Sequence, residues 1–218
     1  MFKHSLLPEK NKSNFTHHFL SMLYVTMVVL SIVLFNQIID FSIFGMPMQL
    51  SGAVIPYVFL FPISFITLRV YGLSEVNHMI ASMVLVSLLF VVIATAVAHF
   101  SSNTTDIHSI LLSSSKMYIA GFIGMPAGIY GSFLTIQWLE KMGVSFNVFS
   151  LCIATIIGEA INTVIVFPLG FHGEYTMHEI FTGIIVDAML FKAIAGILLA
   201  FLAMISINFL VRKRMDQT

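Results

Sequence analysis

The sequence predicts an all-α, polytopic membrane protein with six transmembrane helices and both termini in the cytoplasm. Three observations lead to this prediction. Hydrophobic residues make up 58% of the 218-residue chain and charged residues only 9%, against roughly 25% charged residues in soluble domains. The apolar residues fall into six runs that are long enough to cross about 30 Å of hydrocarbon. Nearly all of the basic residues then fall on one side of the membrane.

Three parts of the chain follow from this pattern. We expect residues 1–16 to form a cytoplasmic N-terminal tail, residues 17–212 a six-helix transmembrane domain, and residues 213–218 a basic cytoplasmic tail. Because the formal net charge is zero, nothing indicates binding to nucleic acid. The single cysteine, Cys152, lies in an apolar run and has no intrachain disulfide partner.

The first three spans are predicted at about 19–39, 51–71 and 78–99. The first run is long for the apolar part of a signal peptide and lacks a small-residue cleavage site after it, so we interpret it as an uncleaved helix. Residues 40–50 are expected to form a loop. Two prolines, Pro56 and Pro62, predict a kinked or broken second helix.

The last three spans are predicted at about 116–139, 146–170 and 180–211, after a Ser/Thr/Asn-rich loop at 100–115. Gly124 and Gly128 form a G-x-x-x-G pattern, which predicts close approach of a neighbouring helix. The last run is ~48 Å long as a straight helix against ~30 Å of hydrocarbon, so it must tilt, kink or protrude.

The basic residues indicate the orientation, because Lys and Arg concentrate in cytoplasmic loops. With six spans, all basic residues but two lie inside: Lys3, Lys10, Lys12, Arg69, Lys141, Arg212, Lys213 and Arg214. Lys116 is expected outside, and Lys192 lies within the membrane.

The fifth and sixth spans carry ionisable or amide groups where an ordinary membrane helix has none, Glu159 and Asn162 in the fifth and Asp187 and Lys192 in the sixth. A charge at the centre of a bilayer costs roughly 2.5–3.5 kcal/mol on insertion scales, so such residues face partners or a wet cavity. Counting ~1.5 Å per residue places Glu159 and Lys192 at the same depth, and Asn162 and Asp187 in a shallower layer. These two layers could bind a substrate, or they could only hold the helices together.

No enzyme signature is present, and no catalytic or metal-binding residues and no cofactor are expected. The sequence contains neither H-E-x-x-H nor G-x-S-x-G. The eight histidines lie near span ends, in loops or in the tail, and they do not form a pair within the membrane. Without a nucleotide-binding motif, any transport must be driven by a gradient, by metabolic trapping or by a separate subunit.

A carboxylate beside an amide suits a planar base with adjacent N–H donors. The carboxylate of Glu159 can accept two hydrogen bonds from such an edge, and the amide of Asn162 can both donate and accept. Phe167 and Phe191 are candidates to stack on the base. Lys192 or Asp187 could take up a proton or balance charge.

Three stretches resemble a known family. Residues 56–63 (Pro-Tyr-Val-Phe-Leu-Phe-Pro-Ile), ending in Arg-Val-Tyr-Gly at 69–72, resemble the second-helix signature of bacterial queuosine-precursor transporters. These transporters belong to the vitamin-uptake-transporter-like (VUT) family. Residues 158–163 (Gly-Glu-Ala-Ile-Asn-Thr) resemble its fifth-helix motif, and Asp187 followed by Phe191 and Lys192 resembles its sixth.

The resemblance implies a six-helix bacterial inner-membrane protein that imports 7-cyano- or 7-aminomethyl-7-deazaguanine for tRNA modification. Two positions differ from the family pattern. The acidic residue usual in the second helix is replaced by Phe65, beside Ser64, and in the fifth helix the usual order of amide and acid is reversed in Glu159 and Asn162.

Ser64 and Arg69 join the expected substrate-binding residues, although Arg69 could simply extend to the inner interface. The expected partners are a purine-like small molecule and the lipid bilayer, with a homo-oligomer or an energising subunit left open. The alternatives are a capture subunit for another vitamin-like solute, similar to those of energy-coupling-factor transporters, and, from another class, an intramembrane enzyme or a structural membrane protein.

The orientation can be tested with introduced cysteines and an impermeant thiol reagent added outside. Cysteines at Ser42, Ser102 and Gly173 should react, because the basic asymmetry places these loops outside. Cysteines near Glu75 and Gly143 should not react. Labelling near Gly143 from outside would contradict the six-span topology.

Overall fold

The computed structural model describes residues 14–35, 37–43, 46–100, 105–173 and 176–215. Most of the expected N-terminal tail, Ser102 and the last three residues of the basic tail lie outside these ranges. The orientation of the termini stays a prediction.

The described residues contain six helices that are long and apolar enough to cross a membrane. The first, third, fourth and fifth spans are the helices Asn14–Leu34, Leu73–Phe100, Thr105–Lys141 and Val148–Gly170. The second span consists of two helices, Val54–Tyr57 and Leu60–Tyr71. The sixth span enters through Met177–Glu179 and a π-helical turn, Ile180–Ile184, and continues as Ile185–Met215. The predicted six-span, all-α architecture is confirmed.

The segment expected to be a loop at 40–50 is instead a small antiparallel hairpin. Strand β1 (Ile38–Ile43) pairs with strand β2 (Met46–Ser51), with Ile38 opposite Ser51. The amide of Gly52 donates to the carbonyl of Gln37 at 2.6 Å, which closes the base of the hairpin. β-Branched isoleucines favour extended backbone, and the ladder pairs backbone groups that a loop at the membrane surface would leave to water.

The loop expected at 100–115 is also mostly helical, because the fourth span already begins at Thr105. Serine and threonine have low intrinsic helix propensity, but the difference from good helix formers is only a few tenths of a kcal/mol per residue. Ile107, Ile110 and Leu111 follow helical spacing. The resulting helix has 37 residues, about 55 Å at 1.5 Å per residue, and extends well beyond the hydrocarbon layer.

The second span lies at the centre of the bundle. Of its apolar window, 83% is buried by other parts of the protein, against 12% for the third span. Its helix is interrupted at Val58 and Phe59, as the two prolines predicted. Pro62 has no N–H for the carbonyl of Val58, four residues earlier, so a continuous helix would lose that hydrogen bond. The break leaves Val54–Tyr57 as a short, separate helical piece.

Glycines bring the fourth and fifth spans into backbone contact. A Cβ atom at Gly128 would lie 2.7 Å from the carbonyl oxygen of Gly158 and 2.9 Å from Cβ of Asn162. A Cβ atom at Gly124 would clash with a methyl carbon of Val166. The close approach expected from the G-x-x-x-G pattern is therefore confirmed, and it presses the fourth span against the polar face of the fifth.

Gly128→Ala should lower the melting temperature, Tm, of the purified protein by about 2–6 °C. The higher helix propensity of alanine stabilises the protein by at most about 1 kcal/mol, whereas overpacking costs about 1–3 kcal/mol. The added methyl group would meet the carbonyl oxygen of Gly158, which is a backbone atom and not the end of a flexible side chain. The control Gly121→Ala should cost less, because its Cβ would meet only the Tyr57 hydroxyl at 3.2 Å. Thermal unfolding in detergent measures both; equal Tm for Gly128→Ala and the parent would contradict the tight contact.

Candidate functional site

Four buried polar side chains lie close together where the fourth and sixth spans pack against the fifth. We call Glu159, Asn162, Thr163 and Lys192 the polar cluster; each is at most 3% exposed. Such burial of polar groups is rare unless they pair with one another. The cluster lies about halfway along the fifth span, where the surrounding medium is otherwise apolar.

The fifth span is anchored at its start by a capping box. Asn147 accepts a hydrogen bond from the backbone N–H of Ser150, and the Ser150 hydroxyl accepts one from the N–H of Asn147. This cap fixes where the helix begins. Further along the helix, Glu159 is followed three residues later by Asn162 and four residues later by Thr163. These spacings place the three side chains on one face of the helix.

Lys192 forms the central contact of the cluster. Its ammonium nitrogen lies 2.8 Å from Oε2 of Glu159, in an ion pair rather than a well-aligned hydrogen bond. It also donates to Oγ1 of Thr163 at 3.0 Å. The expected layer of Glu159 with Lys192 is confirmed. One turn further along the sixth span, a Cβ atom at Gly196 would lie 2.9 Å from Thr155, so the two helices keep the same antiparallel register.

Two aromatic rings enclose the ammonium group. The nitrogen of Lys192 lies 5.3 Å from the ring centroid of Tyr57 and 5.8 Å from that of Phe167. Both distances are within the roughly 6 Å at which cation–π attraction is effective. Phe167 in turn packs edge-on against Phe171, at 5.7 Å between centroids. The rings shield the charge of Lys192 from lipid and add to the attraction of Glu159.

Three buried oxygen atoms on the same helix face lack a hydrogen-bond donor among the described residues: Oε1 and Oε2 of Glu159 and Oδ1 of Asn162. Oε2 has the ion-pair contact with Lys192, so Oε1 and Oδ1 are the two acceptors that remain. Leaving a buried acceptor unsatisfied costs about 1–3 kcal/mol. A pair of such acceptors one helical turn apart can receive two neighbouring N–H groups of a ligand.

The second predicted layer, Asn162 with Asp187, stays a prediction. The Oδ1 atom of Asn162 lies towards the fourth span, 3.2 Å from the position of a Cβ atom on Gly124. Asp187 is partly exposed in the first turn of the sixth-span helix. The structure thus places the Asn162 carbonyl against the glycine face of the fourth span.

The remaining predicted site residues lie around the cluster or away from it. Phe191 is partly buried against the core beside Lys192. Ser64 is 1% exposed and donates to the carbonyl of Leu60 at 2.8 Å. The Tyr24 hydroxyl of the first span lies next to Ser64. Ser64 therefore belongs to the interface between the first and second spans.

Arg69 lies at the end of the bundle opposite the hairpin. We call this end of the bundle the Arg69 end. Its guanidinium pairs with Glu140 of the fourth span and stacks over the ring of Phe146, 3.6 Å from the centroid. At the same end, Glu75 lies 3.1 Å from Nε2 of His17 and 3.6 Å from Nδ1 of His78. These contacts join the first four spans and the segment before the fifth.

A family model described as "Putative vitamin uptake transporter" matches residues 51–206. The matched region runs from the start of the second span into the sixth and contains the whole polar cluster. The chain belongs to this family. It is thus a multi-pass membrane protein of a vitamin-type uptake transporter family, as the resemblance indicated, and a transporter family is consistent with the expectation of a non-enzyme. No curated protein and no solved structure matches the chain significantly.

The sequence interpretation missed two members of the site, Tyr57 and Thr163. Thr163 could have been found, because it lies four residues after Glu159 and therefore on the same helix face. Tyr57 directly follows Pro56 within the stretch that resembles the family signature. Its approach to Lys192 depends on tertiary packing, which helical spacing does not predict.

Breaking the ion pair should destabilise the protein, because the remaining charge stays buried without its partner. Removing one member of a buried pair costs about 3–5 kcal/mol. We expect Lys192→Met to lower Tm strongly, Glu159→Gln less because its amide oxygen can still accept from Lys192, and the double variant to recover part of the loss.

The control is Glu140→Gln, whose carboxylate is 42% exposed and whose pair with Arg69 should contribute only about 0–1 kcal/mol. Thermal unfolding in detergent is measured for the parent, the two single variants and the double variant, which together form a double-mutant cycle. Glu140→Gln is measured beside them. Strictly additive effects of the two cluster substitutions would show that the pair is not coupled.

Proposed function

We propose that this protein is a carrier of the bacterial inner membrane that imports the queuosine precursors 7-cyano- and 7-aminomethyl-7-deazaguanine for tRNA modification. One observation supports the proposal most strongly. Glu159 Oε1 and Asn162 Oδ1 are buried, lie on one helix face and lack donors among the described residues. The family match supports the coarser function of uptake transport.

The edge of a 7-deazaguanine suits these two acceptors. It presents a ring N–H and an exocyclic amine side by side, and both are donors. The carboxylate of Glu159 accepts from one or both, while the amide of Asn162 accepts from the amine or donates to the ring carbonyl. A hydrogen bond to a charged group contributes about 1.5–3 kcal/mol, so such an edge is distinguished from one that lacks donors.

Lys192 lies against Oε2 of Glu159, so Oε1 is the carboxylate oxygen that the base reaches. While the base binds, Lys192 keeps its contacts with Thr163 and the ring of Tyr57. The positive charge therefore remains close to Glu159 while the edge of the base binds. Asp187, five residues before Lys192, is the group that we expect to balance charge when the pair separates.

Aromatic side chains supply the faces of the site. Phe167 already lies beside the cluster, and Phe191 directly precedes Lys192 in the sixth span. Stacking of the base on such rings adds affinity that depends little on the groups at the edge of the base. In this proposal Ser64 and Arg69 act outside the base-binding layer, Ser64 at the first span and Arg69 at the end that must open to release the base.

The second candidate is a substrate-capture subunit for another vitamin-like solute. The description of the matching family favours it, since that description names vitamins. Co-purification with an ATPase module would identify such a subunit. A carrier would instead support uptake when produced alone in cells.

The proposal can be tested in a bacterial strain that cannot make queuosine from GTP. Production of this protein should restore queuosine in tRNA when 7-cyano- or 7-aminomethyl-7-deazaguanine is supplied. Glu159→Gln should lower initial uptake at low substrate by about 10- to 100-fold, which corresponds to the loss of a charged hydrogen bond. Uptake is measured with labelled base and normalised to protein in the membrane.

Glu140→Gln provides the matched control, because it removes a carboxylate from the Arg69 end and leaves the polar cluster intact. It should keep most of the uptake. Near-normal uptake by Glu159→Gln would show that the carboxylate is not required, and the absence of uptake of both precursors by the parent protein would reject the proposed substrates.

A further inference from the structure

The ammonium group of Lys192 has two oxygen neighbours in the polar cluster. Its nitrogen lies 2.8 Å from Oε2 of Glu159 and 3.0 Å from Oγ1 of Thr163. Of these two contacts, only the one with Thr163 has the alignment of a hydrogen bond. The direction in which the ammonium group points is therefore set by the threonine hydroxyl more than by the carboxylate.

Burial makes this hydrogen bond hard to replace. Lys192 is 2% exposed and Thr163 is 0% exposed, so bulk water has little access to either group. The rings of Tyr57 and Phe167 lie 5.3 and 5.8 Å from the ammonium nitrogen, and they attract its charge. A ring face is a weaker hydrogen-bond acceptor than an oxygen atom. Thr163 thus provides a neutral oxygen acceptor that the aromatic rings do not match.

Lys192 leaves one oxygen atom of the Glu159 carboxylate open. Oε1 is buried and lacks a donor among the described residues, although the ammonium group lies against Oε2 of the same carboxylate. An ammonium group has three donors, so a lysine held by the carboxylate alone could bridge both oxygen atoms. Thr163 follows Glu159 by four residues on the same helix face, and its hydroxyl holds the ammonium group to one side.

We propose that Thr163 is a positioning residue that holds Lys192 at Oε2 of Glu159 and thereby keeps Oε1 open for the substrate. The inference rests on the proposed function and gives a role to a residue that acts through Lys192. Without the hydroxyl, the ammonium group would have a buried N–H without an acceptor, and a shift towards Oε1 would satisfy it. The lysine would then block the acceptor that the base needs.

Thr163→Val tests this role, because valine has nearly the shape of threonine and lacks the hydroxyl. We expect the Kd of the purified protein for 7-cyano-7-deazaguanine to rise about tenfold, as for the loss of one hydrogen bond to a charged group. Thr163→Ser retains the hydroxyl and should recover most of the affinity. Equilibrium dialysis with labelled base in detergent measures the Kd. If Thr163→Val does not fold, Thr163→Cys replaces it, because a thiol is only a weak acceptor.

Thr155→Val is the matched control. Thr155 lies on the same helix and also faces the sixth span, at Gly196. Its hydroxyl donates to the carbonyl of Leu151 within its own helix, at 2.8 Å. The substitution removes a hydroxyl from the same pair of helices and keeps Thr163 in place, so the Kd should stay that of the parent.

A combination with Glu159→Gln shows whether Thr163 acts through the carboxylate. In that variant the amide oxygen accepts from Lys192, and the NH₂ group takes the place of Oε1. Because no open carboxylate oxygen is left to protect, adding Thr163→Val should raise the Kd little further. Two independent effects on the Kd would instead multiply.

The outcomes separate this inference from the proposed function. An unchanged Kd in Thr163→Val, or effects that multiply in the combination, would overturn the positioning role and leave the carrier function standing. An equal loss of affinity in Thr163→Ser or Thr155→Val would show that affinity follows the packing of these helices, and the role would again be overturned. If the parent protein neither binds nor takes up the base, the proposed function fails and this inference fails with it.

Discussion

The ion pair of Glu159 with Lys192 is the constraint on which the surrounding packing depends. Charges placed in hydrocarbon carry a large desolvation cost, which their mutual attraction offsets only when protein surrounds them. The second span supplies the ring of Tyr57, and the fifth supplies Thr163 and Phe167. The glycines of the fourth span let its backbone close the remaining side. Each of these features keeps lipid away from the pair.

The depth of the polar residues could be predicted from the sequence, because helical rise is nearly constant. Counting residues from the two ends of the fifth and sixth spans was enough to pair Glu159 with Lys192. The glycine pattern predicted the close contact of the fourth span, and the prolines predicted the broken second span. All of these are local consequences of chain geometry, and tertiary packing did not change them.

The rotation of each helix about its axis could not be predicted in the same way. Residue spacing shows that Glu159 and Asn162 share a face, but it does not show which neighbour each side chain meets. Asn162 turned out to face Gly124, and Tyr57 reached Lys192 across the bundle. The hairpin and the early start of the fourth span were missed for another reason. Polar composition indicates exposure to water, and exposed segments also form regular structure when their backbone groups can pair.

The ion pair of Arg69 with Glu140 and that of Lys192 with Glu159 differ in their access to dissolved ions. The side chains of Arg69 and Glu140 are 22% and 42% exposed, whereas those of Lys192 and Glu159 are 2% and 4% exposed. Counterions screen exposed charges over about 8 Å at physiological ionic strength and reach buried ones far less. Added salt therefore loosens the junction of the second and fourth spans and leaves the central pair almost unchanged. Ionic strength in the aqueous phase therefore acts on the packing at one end of the bundle and hardly on the buried pair at its centre.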